Sequence, residues 1–118
     1  MILHNTTRNM LVAGSARVAS TLGWRLRGML RRNFDGFDAL VFERCDSIHM
    51  FFMHMPLDVL FLDTEGRVRG LRNGLRPWRL AICPGAKTTI ELPAGALAAS
   101  QTCIGDVVML EPALKTAH

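Results

Sequence analysis

Leu57-Asp58-Val59-Leu60-Phe61-Leu62 is the stretch on which the fold turns. All its residues but Asp58 are apolar, so an extended segment here presents apolar side chains on both faces. That pattern fits a central strand covered on both sides, not one that faces water. Thr64-Glu65-Gly66 follows as a turn and predicts a hairpin into residues 67–71. Further out, residues 39–42, 78–82, 88–92 and 107–110 read as strands, with Pro84-Gly85 and Gly105-Asp106 as turns between them. Val12 and residues 17–19 read as short extended pieces around Ala13-Gly14-Ser15. Residues 45–49 read as a polar turn, and the ends beyond about residues 5–112 as frayed.

One segment has a helical period. From about Ser20 to Arg32, Leu22, Leu26, Met29 and Leu30 fall in one arc at 100° per residue, with Ser20 or Thr21 as the cap. A second, shorter helical segment is expected near residues 95–100. The predicted fold is mainly β: a small barrel or sandwich with an N-terminal helix over residues 20–32, in one domain spanning residues 1–118.

Composition limits the function. The chain has 118 residues, 49% hydrophobic and 20% charged, which excludes a multidomain enzyme, a collagen-like repeat and a disordered tail. The net charge of +4 conceals blocks: residues 1–34 and 67–90 carry +6 each, and residues 35–66 carry −6. Opposite blocks are expected to meet and neutralise one another, which makes nucleic acid an unlikely partner despite the basic balance. The first twenty residues lack the unbroken apolar core of an export signal. No apolar run reaches the ~18 residues of a membrane span. The expectation is a cytoplasmic protein with no membrane partner. Three cysteines without a CxxC pair give no zinc-ribbon pattern.

The densest set of titratable side chains is Cys45, Asp46, His49, His54 and Asp58. Metal ligation or a Cys–His nucleophile would draw on such residues. The spacing works against both: on an extended chain Cys45 and His49 share a face but His49 and His54 do not, and no oxyanion loop or orienting third residue can be named. No metal and no cofactor is expected. Asp58 stands alone among apolar neighbours, so it must be paired or hydrogen-bonded if buried, with Arg27 as the preferred partner. Arg76-Pro77-Trp78-Arg79, preceded by Arg67, Arg69 and Arg72, is the best candidate binding surface if Trp78 is exposed. The favoured expectation is the opposite, with Trp78 in the core and the arginines paired with the acidic block. Cys45 and Cys83 each follow an apolar strand at a similar offset, so the two thiols come together if those strands run side by side.

The order of motifs resembles a known family. Ala19, Arg27-Gly28-Met29-Leu30, FFMHMPLDVLFLD at 51–63, Gly66-Arg67-Val68, IELPAG at 90–95 and Ile104-Gly105-Asp106-Val107 follow the pattern of domain of unknown function 192 over about residues 8–111. The resemblance implies a compact, mostly β fold with a short helix near the N-terminus and no established activity. Its shorter-loop branch, with only His54-Met55 between FFM and PLD, often carries cysteines at the positions of both Cys45 and Cys83. In a reducing cytoplasm the two are expected as free thiols. The functional expectation is a non-enzymatic binding or accessory module for a small molecule or a protein, with His49, His54, Asp58, Arg27, Arg76 and Trp78 as the candidate site. A small hydrolase or lyase using the 45–58 segment is the alternative. A polyanion or nucleic-acid binder using residues 67–79 is the second alternative.

Overall fold

The computed structural model describes residues 1–19, 36–50 and 55–112, apart from the side chain of His49. The predicted helix over residues 20–32 lies outside them, as do Arg27 and His54. Ten strands are described: β1 (Ile2–Asn5), β2 (Met10–Ala13), β3 (Ala16–Val18), β4 (Ala39–Glu43), β5 (Ser47–His49), β6 (Leu57–Leu62), β7 (Val68–Leu75), β8 (Leu80–Ile82), β9 (Thr88–Pro93) and β10 (Val108–Glu111). The short helix α1 (Ala96–Ala99) falls where the Ala-rich segment predicted it.

The central layer is a five-stranded sheet in the order β3-β4-β9-β6-β7. All six residues of β6 are buried, because that sheet is covered on both faces. On one face Val41, Leu60, Leu62, Ile90 and Leu92 pack against Leu3, Val12 and Val108 of a three-stranded sheet, β10-β1-β2, and against Leu97 of α1. On the other face Leu40, Phe42, Val59 and Phe61 pack against Ile48 and Ala81 of a two-stranded ribbon, β5-β8, and against Cys83 just beyond it. Among the described residues the sheets do not close into a barrel, so the sandwich is the form the fold takes.

The structure corrects two sequence readings. The N-terminus is not frayed: β1 lies between β2 and β10, with Leu3 and Asn5 buried. Its partner β10 is at the far end of the chain, which no local pattern reveals. Residues 45–49 are not merely a polar turn either, since Ser47–His49 pairs antiparallel with β8.

Acidic side chains hold several connections by accepting backbone N–H bonds. Asp38 takes those of Gly14 (2.8 Å) and Ser15 (2.7 Å). Asp63 takes those of Glu65 (2.8 Å) and Arg67 (3.0 Å), which close the β6–β7 turn and hold its carboxyl below the usual range. In that turn Gly66 has φ +79°, and a Cβ there would lie 2.9 Å from the Val108 carbonyl oxygen. Only glycine fits there. Asp106, read as a simple turn residue, is buried and links the two chain ends: Asn5 (3.0 Å), Arg8 (2.7 Å) and the Cys103 amide (2.9 Å) all donate to its Oδ2. Burial pushes the Asp106 carboxyl up, and hydrogen bonds from Asn5, Arg8 and Cys103 outweigh it, leaving it below the ordinary carboxyl value.

Candidate functional site

Asp58 is buried, with 1% of its surface exposed, and among the described residues its hydrogen bonds all come from backbone amides. Oδ1 accepts from the Gly74 amide (2.8 Å); Oδ2 accepts from Gly95 (3.1 Å) and Leu97 (2.9 Å). Gly74 sits where the β6–β7 register shifts and has φ +64°, a conformation that places its N–H toward the carboxylate. Asp58 thus fixes the β7 bulge and the first turn of α1 at once. A carboxylate offers about four lone-pair sites, and described residues occupy three of them. Its neighbours in register place it on the same face as Leu60 and Leu62, away from the β5-β8 ribbon. The fold therefore places Asp58 on the opposite face of the sheet from the cluster that Cys45 borders.

The ribbon has a different character. Cys83 donates its amide to the Asp46 carbonyl (2.8 Å) and Met50 donates to the Arg79 carbonyl (2.7 Å), framing the antiparallel pairing of Ile48 with Ala81. Ala81 and Cys83 point inward, and Cys83 Sγ would lie 3.0 Å from a Cβ at Gly70 of β7. Leu80 and Ile82, which alternate with them, point outward and are 58% and 51% exposed. Trp78 is 58% exposed, which overturns its expected place in the core. Its φ of +68° is left-handed, costing about 1–2 kcal/mol for a residue with a Cβ. The Trp78 amide donates to the Met50 carbonyl (2.7 Å), which helps to hold that turn.

Arg76 and Arg79 are exposed beside Trp78. Among the described residues, the arginines of residues 67–79 do not pair with the acidic block as expected. Among the described residues the ion pairs are His4–Glu111 and Arg8–Asp106. Arg67 and Arg69 instead donate to the carbonyls of Gly105 (2.9 Å) and Pro84 (2.7 Å), and Arg72 lies 5.8 Å from the Phe61 ring centre. The acids are otherwise engaged: Asp38, Asp58 and Asp63 hold backbone N–H groups.

His49 contributes its backbone to β5, opposite Leu80. Cys45 and Cys83 are free thiols bordering the same apolar cluster, and the Cys45 thiol donates to the Ser47 carbonyl (3.0 Å). β8 pairs with β5, and β4 lies between β3 and β9, so the two strands that Cys45 and Cys83 follow do not run side by side as the expected proximity required. No group of three or more His, Cys, Asp or Glu suited to a metal occurs among the described residues. No helix among them is long and apolar enough to cross a membrane.

The DUF192 family profile, described as Uncharacterized ACR, matches residues 3–110. The chain belongs to the DUF192 family. It is 37% identical over 114 residues to a UPF0127 protein of Thermococcus sibiricus, covering 91% of this chain and 73% of that one. It is also 32% identical to a UPF0127 protein of Pyrococcus abyssi, covering 91% and 95%. The DUF192 fold of this chain matches two solved structures with a TM-score of 0.75 and 20% identity, each over 92% of this chain. One is a protein of unknown function from Novosphingobium aromaticivorans, of which 82% is covered. The other is a candidate transcription regulator from Sinorhizobium meliloti, of which 89% is covered. At that identity they share a fold with this DUF192 chain.

Sequence reading missed Leu80 and Ile82 as surface residues and Glu91 as a buried one. Both faces of β9 are covered, and Glu91 is fully buried between Leu40 and Val59.

Proposed function

We propose that this chain is a non-enzymatic binding module that docks a partner protein on the β5-β8 ribbon. The observation that carries the reading is three large apolar side chains, Trp78, Leu80 and Ile82, each more than half exposed on one short ribbon. Burying such a side chain is worth about 1.5–3 kcal/mol, so a partner covering all three gains substantial binding energy. A strained, exposed tryptophan between Arg76 and Arg79 has the composition of an interface hot spot. A hydrolase or lyase reading draws less support, because Asp58 is occupied by backbone N–H groups and the Cys45 thiol donates to a carbonyl. Three free thiols suit a reducing, cytoplasmic setting.

The test is a selection from a random twelve-residue peptide library on the full immobilised chain. Sequences enriched on the wild type are expected to be lost on a Trp78→Ala/Leu80→Ser/Ile82→Ser variant that folds normally. Equal enrichment on both proteins, or none on either, would contradict a docking role for the ribbon.

A further inference from the structure

We infer that the occupant of the ribbon is an extended, acidic-and-apolar segment of a partner protein, which adds as a new strand to the outer edge of β8. This rests on the docking role just proposed and goes further by naming the mode of attachment and the partner's chemistry.

The mode follows from the pairing. In an antiparallel ladder, backbone N–H and C=O groups point alternately toward and away from the neighbouring strand. Arg79 and Cys83 bond toward the β5 side, through Met50 and Asp46, and Ala81 pairs there with Ile48 between them. The N–H and C=O groups of Leu80 and Ile82 therefore face the other edge. There β8 has no neighbouring strand among the described residues. An open edge with outward Leu and Ile side chains is what proteins normally avoid, because it templates pairing with another chain. Where it persists, strand addition supplies main-chain hydrogen bonds, and side-chain pockets or flanking charges supply selectivity.

The partner's chemistry follows from charge. Residues 67–90 contain five Arg and Lys87 and no acid. Arg69 is tied to the Pro84 carbonyl, while Arg76 and Arg79 are exposed near the start of β8 and in no ion pair with a described residue. A strand with apolar residues against Leu80 and Ile82 and carboxylates reaching Arg79 and Arg76 satisfies both features. A second copy of this chain offers β8 the same basic block, so like charges oppose self-pairing.

The probe is a synthetic octapeptide, acetyl-Glu-Glu-Val-Thr-Val-Thr-Val-Thr-amide, with its reversed sequence and a Lys-for-Glu version as controls. Amide hydrogen exchange is followed by NMR on the full chain. One glutamate-bearing order is expected to bind and to slow exchange at Leu80 and Ile82, while the lysine version binds at least about tenfold more weakly. Replacing the Ile82 amide by an ester removes one outward N–H, keeps the side chain, and is expected to weaken binding about three- to tenfold. Binding that leaves both amides unprotected and ignores the ester overturns strand addition, yet leaves docking on the ribbon intact if the three-residue variant abolishes it. No binding of either glutamate order at about 1 mM peptide overturns the inference, and the library selection separately decides the docking role. Protection of Leu80 and Ile82 that rises with protein concentration alone makes a second copy the occupant and overturns it. Stronger binding of a twelve-residue oligothymidine than of the peptide overturns it in favour of a polyanion.

Discussion

Asp58 and Trp78 flank β7 in sequence and end in opposite situations. Around Asp58 a buried carboxylate gathers amides from Gly74, Gly95 and Leu97, so the β7 bulge and the α1 turn are complete within the chain. Around Trp78 large apolar side chains are more than half exposed, and among the described residues no strand pairs with the outer edge of β8. The first region turns charge into structure. The second keeps large apolar side chains at the surface. Titratable residues alone would have pointed to the first as the functional centre, whereas the accounting of hydrogen bonds and exposure points to the second.

The largest effect that tests this contrast is at Asp58. Asp58→Ala leaves three backbone N–H groups without their acceptor in a buried place, and is expected to cost about 3–5 kcal/mol in urea unfolding. A loss under about 1 kcal/mol would mean that water replaces the carboxylate and that the region is not a closed hub.

Asp106 comes next. Asp106→Ala removes the acceptor shared by Asn5, Arg8 and the Cys103 amide, with an expected cost of about 1–3 kcal/mol. Its pH dependence has a definite sign. The folded-state carboxyl is held below its unfolded value of about 3.9. Its contribution is therefore complete above that value and is lost as pH falls through the folded one. The urea midpoint should drop more steeply below about pH 4 in the wild type than in Asp106→Asn. Parallel curves would contradict the assignment.

A smaller effect links the ribbon to the sheet. Gly70→Ala places a Cβ 3.0 Å from Cys83 Sγ and 3.6 Å from Phe61, and is expected to cost about 1–2 kcal/mol by overpacking. Cys83→Ala makes room, so the double variant should be more stable than the two single losses add up to. Simple additivity would show that β8 does not rest on Gly70.

The smallest effect is at Trp78. Trp78→Gly relieves a left-handed φ while loosening the unfolded chain, so stability should change by less than about 1 kcal/mol. A loss of several kcal/mol would make Trp78 a core residue after all.

The apolar strands were legible because burial on both faces writes itself into the sequence, as in Leu57–Leu62. Asp58 was legible for the same reason, as a lone charge in that run, although its backbone partners were not. β1 and β5 were not legible, since Ile2–Asn5 and Ser47–His49 are strands only because β10 and β8 lie beside them. Trp78 was misread because aromatic residues usually go inside. Its exposure depends on the positive φ of one turn, which its side chain disfavours. The charge blocks misled for a related reason: Asp38, Asp58 and Asp63 are used on backbone amides, which leaves the arginines of residues 67–79 to carbonyls, a ring and solvent.

Amide hydrogen exchange along β8 in the free protein tests the account most directly. Ala81, paired with Ile48, should exchange slowly, while Leu80 and Ile82 on either side exchange at rates near those of exposed amides. Equal, strong protection of all three at low protein concentration would show that the outer edge is already covered and would contradict the ribbon as an open docking strand.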